Sequence, residues 1–299
     1  MGRRQALTAW VMQKAGPFTV RYGEGLDFAS ADLPAPVRIR IPTREGLVRC
    51  RVQHPRPGPT PSPVVVHFHG GAFIVRYPQM DDFYTRFLAE QVSAMVVSVD
   101  YDVAPQKAYP VAQHQAHDVV AWFVEHGAGM GVDGRRIALS GFSAGGNLAA
   151  SAALQARDVG SFAPALVVLG VPSLDVAEPA TAKSSTVARP LIDARLLELV
   201  RETYYRDASR RPEPYASPLL EPDLTDYPPT LVLTAEVDTL RREGDAFAAR
   251  LLEAGVDVTH HVVPERDHHF MLASDAVQAR ETLDLIVAHL RVALGQPAG

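Results

Sequence analysis

From residue 64 onward the chain alternates short apolar runs with longer amphipathic stretches. The runs are Val64 to Phe68, Met95 to Val99, Ile137 to Leu139, Leu166 to Leu169, Leu231 to Leu233 and Val258 to Val263. Strands buried on both faces read this way, because neither side of the pleat meets water. The helix-length stretches between them predict βα units, and so a parallel sheet covered on both faces. Upstream the period changes. Val37 to Ile41 and Leu47 to Val52 alternate apolar and polar residues around Arg44-Glu45-Gly46. That pattern predicts an antiparallel hairpin. Residues 1 to about 35 read as helix and then loop, and the proline-rich stretch 55–63 as a surface connection.

One stretch breaks the rhythm. Residues 173–216 hold prolines and polar residues, followed by a helical pattern from Leu191 to Tyr205. This is too long for an ordinary connection between a helix and a strand. The chain therefore divides into an N-terminal cap segment (1–35), a first core part (36–172), a cap insertion (173–216) and a second core part (217–299). The insertion also reads as a peripheral excursion without contact to a ligand. No internal repeat is apparent.

Composition narrows the class. The chain has 299 residues, 47% of them hydrophobic, enough for one large core. Net charge is −5 with both signs interspersed, so no nucleic-acid patch is expected. Cys50 is the single cysteine, which excludes an intrachain disulfide and reads as a buried structural thiol. No stretch reaches the roughly 18 apolar residues of a membrane span. The apolar run Ala6 to Met12 ends at Gln13-Lys14, too early for a secretory signal. Met1-Gly2 lacks the Ser or Thr that a myristoylation signal needs at position six. A cytoplasmic protein without a membrane partner is the expectation, and monomer and homodimer both stay open.

The candidate chemistry lies at the carboxyl ends of the apolar runs, where sheets of this kind bind ligands. Ile137-Ala138-Leu139 leads into Gly141-Phe142-Ser143-Ala144-Gly145, which opens a small-residue helical stretch. A strand, a sharp turn with serine at its apex and a helix form the context of a nucleophile elbow. Side chains at Gly141 and Gly145 would collide with the strained apex. Val64 to Phe68 leads into His69-Gly70-Gly71-Ala72-Phe73. Such a loop can bring N–H groups close to an oxyanion, together with that of Ala144 after the serine. Thr230 to Thr234 leads to Ala235-Glu236-Val237-Asp238, and Val258 to Val263 leads to Asp267-His268-His269-Phe270. Serine, acid, histidine is the chain order of an elbow-type triad. His268 would take the proton of Ser143, and Asp238 would hold the imidazole tautomer. Glu236 is the rival acid and His269 the rival base.

Other groupings carry less. His67 and His69 share one strand face, and His260-His261 add imidazoles, but acidic residues to complete a metal site are missing nearby in sequence, so no metal is expected. His114, His117 and Asp118 share one helical face and read as solvated. Asp100 and Tyr101 end a core strand and read as structural.

The assembled motifs resemble the hormone-sensitive-lipase-like branch of the α/β-hydrolases, the bacterial family IV esterases. They are His69 to Phe73, Ser98-Val99-Asp100-Tyr101, Ala104-Pro105 through Tyr109-Pro110, Gly141 to Gly146, Tyr215 to Leu219, Asp238 with Arg241 to Gly244, and His268 with Phe270. The resemblance spans roughly residues 36–295. It implies the α/β-hydrolase fold: a mostly parallel eight-stranded sheet with helices on both faces and a helical cap. It also implies ester hydrolysis through an acyl-serine, no cofactor or metal, a short-chain acyl ester or an acetylated metabolite as substrate, and oxyanion donation by Gly71, Ala72 and Ala144, with His69, Gly70, Gly141 and Gly145 as motif support. Ala72 stands where the family usually has a third glycine, Phe142 where it often has aspartate, and His269 where it has glycine. His269 reads equally as a pocket residue or a surface one. Deacetylation of an N-acetylated metabolite and binding without turnover are the two alternatives.

Overall fold

The computed structural model describes residues 2–56 and 60–296. Part of the proline-rich connection, residues 57–59, lies outside the described residues, as does Met1 of the dipeptide Met1-Gly2. Eight strands form one sheet: β1 (Val37–Thr43), β2 (Gly46–Gln53), β3 (Ser62–Phe68), β4 (Met95–Asp100), β5 (Val132–Phe142), β6 (Leu166–Gly170), β7 (Thr230–Ala235) and β8 (Val258–Val263). Their spatial order is β1-β2-β4-β3-β5-β6-β7-β8. The hairpin β1–β2 is antiparallel and β2 runs antiparallel to β4, while the other pairs are parallel. Strand β5 starts earlier than its apolar run, because the polar Asp133 to Arg136 stretch is also extended.

Seven α-helices accompany the sheet among the described residues: α1 (Arg3–Thr19), α2 (Asp82–Val92), α3 (Val111–His126), α4 (Ala144–Val159), α5 (Ala194–Thr203), α6 (Arg241–Glu253) and α7 (Ala276–Ala293). Alternate strand residues divide between two cores, as the period of two requires. Val64, Val66 and Phe68 of β3 join residues of α3, α4 and α6 such as Phe123, Leu148 and Phe247. Val65 joins residues of α2 and α7 such as Phe87, Leu283 and Ile286. Burying such a side chain contributes roughly 1.5–3 kcal/mol, so both faces hold the sheet.

The stretch after β6 contains α5, shorter than its apolar pattern suggested. Asp193 caps it, its carboxylate accepting from Leu196 N at 2.8 Å. Helix α5 packs against α1, so the two segments outside the alternating core touch each other over one end of the sheet. No helix among the described residues is long and apolar enough to cross a membrane.

Candidate active site

Strand β5 delivers Ser143. The strand ends at Phe142, α4 starts at Ala144, and the one residue between them has φ 56° and ψ −116°. A serine costs about 1–3 kcal/mol in such a conformation and keeps it only where its surroundings fix it. Here Ser143 N donates to Gly170 O at 2.9 Å, and Ser143 O accepts from Ser173 N at 3.2 Å. The glycines at Gly141 and Gly145 have a steric cause different from the one expected. A Cβ on Gly141 would lie 2.0 Å from Gly145 O, and one on Gly145 would lie 1.9 Å from Phe68 O. The crowding is thus between the strand and the helix start, and between that helix and the end of β3.

The loop after β3 faces the elbow. Gly71 O accepts from Ile74 N at 3.0 Å and Val75 N at 2.8 Å, which coils the loop tightly. Ala72 sits at φ 57° and Phe73 at φ 54°. The N–H groups of Gly71 and Ala72 donate to no acceptor among the described residues. Ala144 is the first residue of α4, where helical geometry leaves N–H groups without intrahelical partners. His69 is buried and stacked on Tyr101, ring centroids 4.4 Å apart, and Tyr101 Oη donates to His69 O at 2.7 Å. Burial lowers the His69 imidazole to about 4, so it stays neutral and structural.

Asp238 and His268 meet. His268 Nδ1 lies 2.9 Å from Asp238 Oδ2, and Asp238 Oδ1 accepts from Leu240 N at 3.1 Å. Both are buried, Asp238 at 4% exposed and His268 at 6%. Glu236 is exposed and its carboxylate accepts from Glu265 N at 2.8 Å. It steadies the turn before His268 and makes no bond to the imidazole. His269 borders the cavity, with its ring 4.9 Å from that of Tyr22. Burial, aided by His268, lowers its imidazole to about 4. Of the two readings of His269, the pocket position is the observed one.

These residues open on one cavity of about 450 Å³. Gly71, Ala72, Ser143 and His268 border it, with Met12, Val20 and Tyr22 from the N-terminal segment and Leu191, Ile192 and Leu196 from the segment after β6. Val75, Met80, Phe142, Val171 and Phe270 add apolar wall, so the lining is more apolar than the stripe on α5 alone. Ala144 borders a smaller recess behind Ser143 with Leu197 and Val200.

Several residues that pin the segment after β6 were not foreseen. Asp267 accepts from His268 N and from Leu191 N, both at 2.7 Å. Thr239 Oγ1 donates to Ile192 O at 2.6 Å. Lys183 pairs with Glu243, both nearly buried, and Glu243 also accepts from Leu174 N at 2.6 Å and Asp175 N at 2.7 Å. A carboxylate five positions downstream of the candidate acid Asp238, another just before His268, or a lysine inside an insertion gives no local signal of such convergence.

Two further expectations need correction. His117 is buried, and its Nε2 lies 2.9 Å from Ser161 Oγ. Asp118 accepts from Arg44 of the β1–β2 turn, so this helix face is covered rather than solvated. His67 does have an acid nearby in space, Asp81, at 2.9 Å. Phe142 packs in an aromatic cluster with Tyr84, His67 and Phe270, ring centroids 4.7, 5.1 and 5.5 Å away. Among the described residues no three His, Cys, Asp or Glu side chains converge as metal ligands. Cys50 is buried.

Known proteins resemble this chain in sequence and fold. Residues 65–272 match the model of a family with the α/β-hydrolase fold. An arylesterase of Saccharolobus solfataricus is 36% identical over 212 residues, covering 70% of this chain and 68% of the relative. An ethyl acetate hydrolase of Pseudomonas putida is 34% identical over 233 residues, covering 76% and 72%. The solved structure of a hyperthermophilic esterase from Pyrobaculum calidifontis superposes with a TM-score of 0.80 at 32% identity, covering 97% of this chain and 89% of that one. With a β5–Ser143–α4 elbow at the carboxyl edge of a mostly parallel eight-stranded sheet, the chain belongs to the α/β-hydrolase family, in its hormone-sensitive-lipase-like esterase branch.

Proposed function

We propose that the protein is a serine carboxylesterase that cleaves short-chain acyl esters of small molecules through an acyl-serine. The observation that carries this reading is the Asp238–His268 contact at 2.9 Å, opening on the same cavity as Ser143 and the free N–H groups of Gly71 and Ala72. His268 removes the Ser143 proton as the oxygen attacks the ester carbonyl. The carbonyl oxygen becomes an oxyanion, which the N–H groups of Gly71, Ala72 and Ala144 hold. His268 then returns the proton to the departing alcohol. Water repeats the sequence on the acyl-serine and releases the acid. Asp238 keeps the imidazole in the tautomer whose Nε2 accepts, and stabilises the imidazolium. No cofactor enters these steps.

Residues 1–35 and 173–216 act as a cap that limits substrate size; their shared lining of the cavity supports this. We retain the reading of a cytoplasmic enzyme with small-molecule substrates and neither membrane nor nucleic acid as partner. Sedimentation decides between monomer and homodimer. The test is a panel of p-nitrophenyl esters from acetyl to hexadecanoyl, with N-acetylated amino acids alongside. Acetyl to hexanoyl esters are expected to give the highest kcat/KM, and Ser143→Ala to lose on the order of 10⁴-fold or more with its fold intact. A kcat/KM rising through the long chains overturns the short-chain reading. Ser143→Ala retaining a tenth of the activity overturns the nucleophile.

A further inference from the structure

Behind the cavity wall lies a row of four polar side chains that ester cleavage does not use. Tyr84 Oη and Ser140 Oγ are 2.8 Å apart, Ser140 Oγ and His67 Nδ1 3.2 Å, and His67 Nε2 and Asp81 Oδ2 2.9 Å. All four residues are fully buried. One proton assignment satisfies the row: Tyr84 donates to Ser140, Ser140 to His67, and His67 Nε2–H to Asp81. The row ends at a carboxylate held through one oxygen. The other, Asp81 Oδ1, is buried and accepts nothing among the described residues. Tyr22 Oη is in the same condition. Both residues border the cavity that contains Ser143. Burial is the main cause that raises the Tyr22 hydroxyl well above its ordinary value, and the Asp81 charge adds to it.

A carboxylate oxygen removed from water and left without a donor destabilises the folded protein. The other charged group on the cavity border, Arg21, is exposed and paired with Glu24. His269 is neutral at physiological pH, since its imidazole is lowered to about 4 by burial. The wall therefore offers acceptors and one carboxylate, while the arginine on its border is already paired with Glu24. Asp81 borders the cavity while being fully buried, so a ligand reaches Oδ1 by displacing wall side chains. Met80 stands at that border, and its unbranched thioether repacks readily.

We propose that Asp81 and Tyr22 form a subsite that selects esters bearing a primary ammonium group, with Asp81 Oδ1 and Tyr22 Oη accepting its N–H donors. The substrate class, though not the subsite, rests on the esterase reading above. Two matched pairs test it, each exchanging ammonium for methyl: ethyl 6-aminohexanoate against ethyl heptanoate for the acyl side, and 4-(aminomethyl)benzyl butanoate against 4-ethylbenzyl butanoate for the alcohol side. Binding is measured by calorimetry on Ser143→Ala, and kcat/KM on the active enzyme. In at least one pair the amine ester is expected to bind about tenfold or more tightly than its partner, the scale of one charge-assisted hydrogen bond. Asp81→Asn keeps an oxygen for His67 and turns an amide donor toward the cavity. It should abolish or reverse the preference between the members of a pair, and Tyr22→Phe should narrow it. Equal affinities in both pairs, or a preference that survives Asp81→Asn, overturns the subsite. If Asp81→Asn does not fold, the wild-type pairs and Tyr22→Phe decide. A preference in binding with no turnover of any ester would sink the esterase reading and leave the subsite standing.

Discussion

Replacing Lys183 by methionine keeps the aliphatic stem and removes the ammonium from a nearly buried ion pair. Glu243, 4% exposed, would keep its two backbone donors, Leu174 N and Asp175 N, and lose its charged partner. Burial already pushes its carboxyl above the usual range, with Lys183 pulling it back. Breaking such a pair on one side costs about 3–5 kcal/mol. Protonation sets a ceiling. A carboxyl with an ordinary pKa of about 4.3 takes up a proton at pH 7 for about 4 kcal/mol, at 1.36 kcal/mol per unit. The expected loss at pH 7 is therefore about 3–4 kcal/mol. With an unfolding entropy of about 2.1 cal/mol/K per residue over 299 residues, that lowers Tm by about 5–6 °C. The sign of the pH dependence follows. In the variant the folded-state pKa of Glu243 lies above the unfolded one, so the folded state binds more protons and the deficit shrinks as pH falls. By pH 5 the ceiling is only about 1 kcal/mol. Denaturant titrations at both pH values measure this, and Lys183→Met combined with Glu243→Gln should regain most of the loss. A single-variant cost below about 1 kcal/mol at pH 7, or one that does not change with pH, refutes the reasoning.

Other outcomes follow from the same geometry. Asp238→Asn should lower kcat on the order of 10⁴-fold by imposing the wrong imidazole tautomer, while Glu236→Gln, which only loosens a turn, should stay within about tenfold; steady-state kinetics that reversed this order would reassign the acid. His269 has a folded-state pKa of about 4, below its unfolded value, so the stability it contributes is present above about pH 6.5 and is lost as pH falls toward 4. His269→Gln should therefore lessen the loss of stability between pH 7 and 5 by on the order of 1–2 kcal/mol, read from denaturant midpoints; an unchanged acid limb would show that the imidazole charges freely.

Much of this was legible in the residues because it is local. Each strand and its following loop are contiguous, so Ser143, Asp238, His268 and the Gly71–Ala72 loop could be placed at strand ends without knowing how the ends converge. The hairpin of β1 and β2 was legible for the same reason. What escaped is convergence across elements. His67 on β3, Asp81 in a 3-10 turn, Tyr84 on α2 and Ser140 on β5 meet only because the sheet order sets β3 beside β5. The histidine–aspartate face of α3 looked solvated because its cover, Arg44, comes from a turn more than seventy positions upstream. Tyr22 follows a helix with little periodic signal, and only its packing on His269 and Phe142 shows that it belongs to the cavity.

The crowding at Gly145, where a single added carbon would sit 1.9 Å from Phe68 O, has a mechanical meaning. Two main chains touch there, one next to Ser143 and the other leading to the Gly71–Ala72 loop, the pair to which the proposed mechanism gives attack and oxyanion binding. The spacing between elbow and loop is a main-chain thickness, and a close-packed interior compresses little. Side chains around the cavity can be exchanged, and what fits can change, while that gauge stays where it is. Selectivity and the spacing between elbow and loop are therefore separable in this scaffold: the first is written in replaceable side chains, the second in a contact that only a movement of the backbone can change.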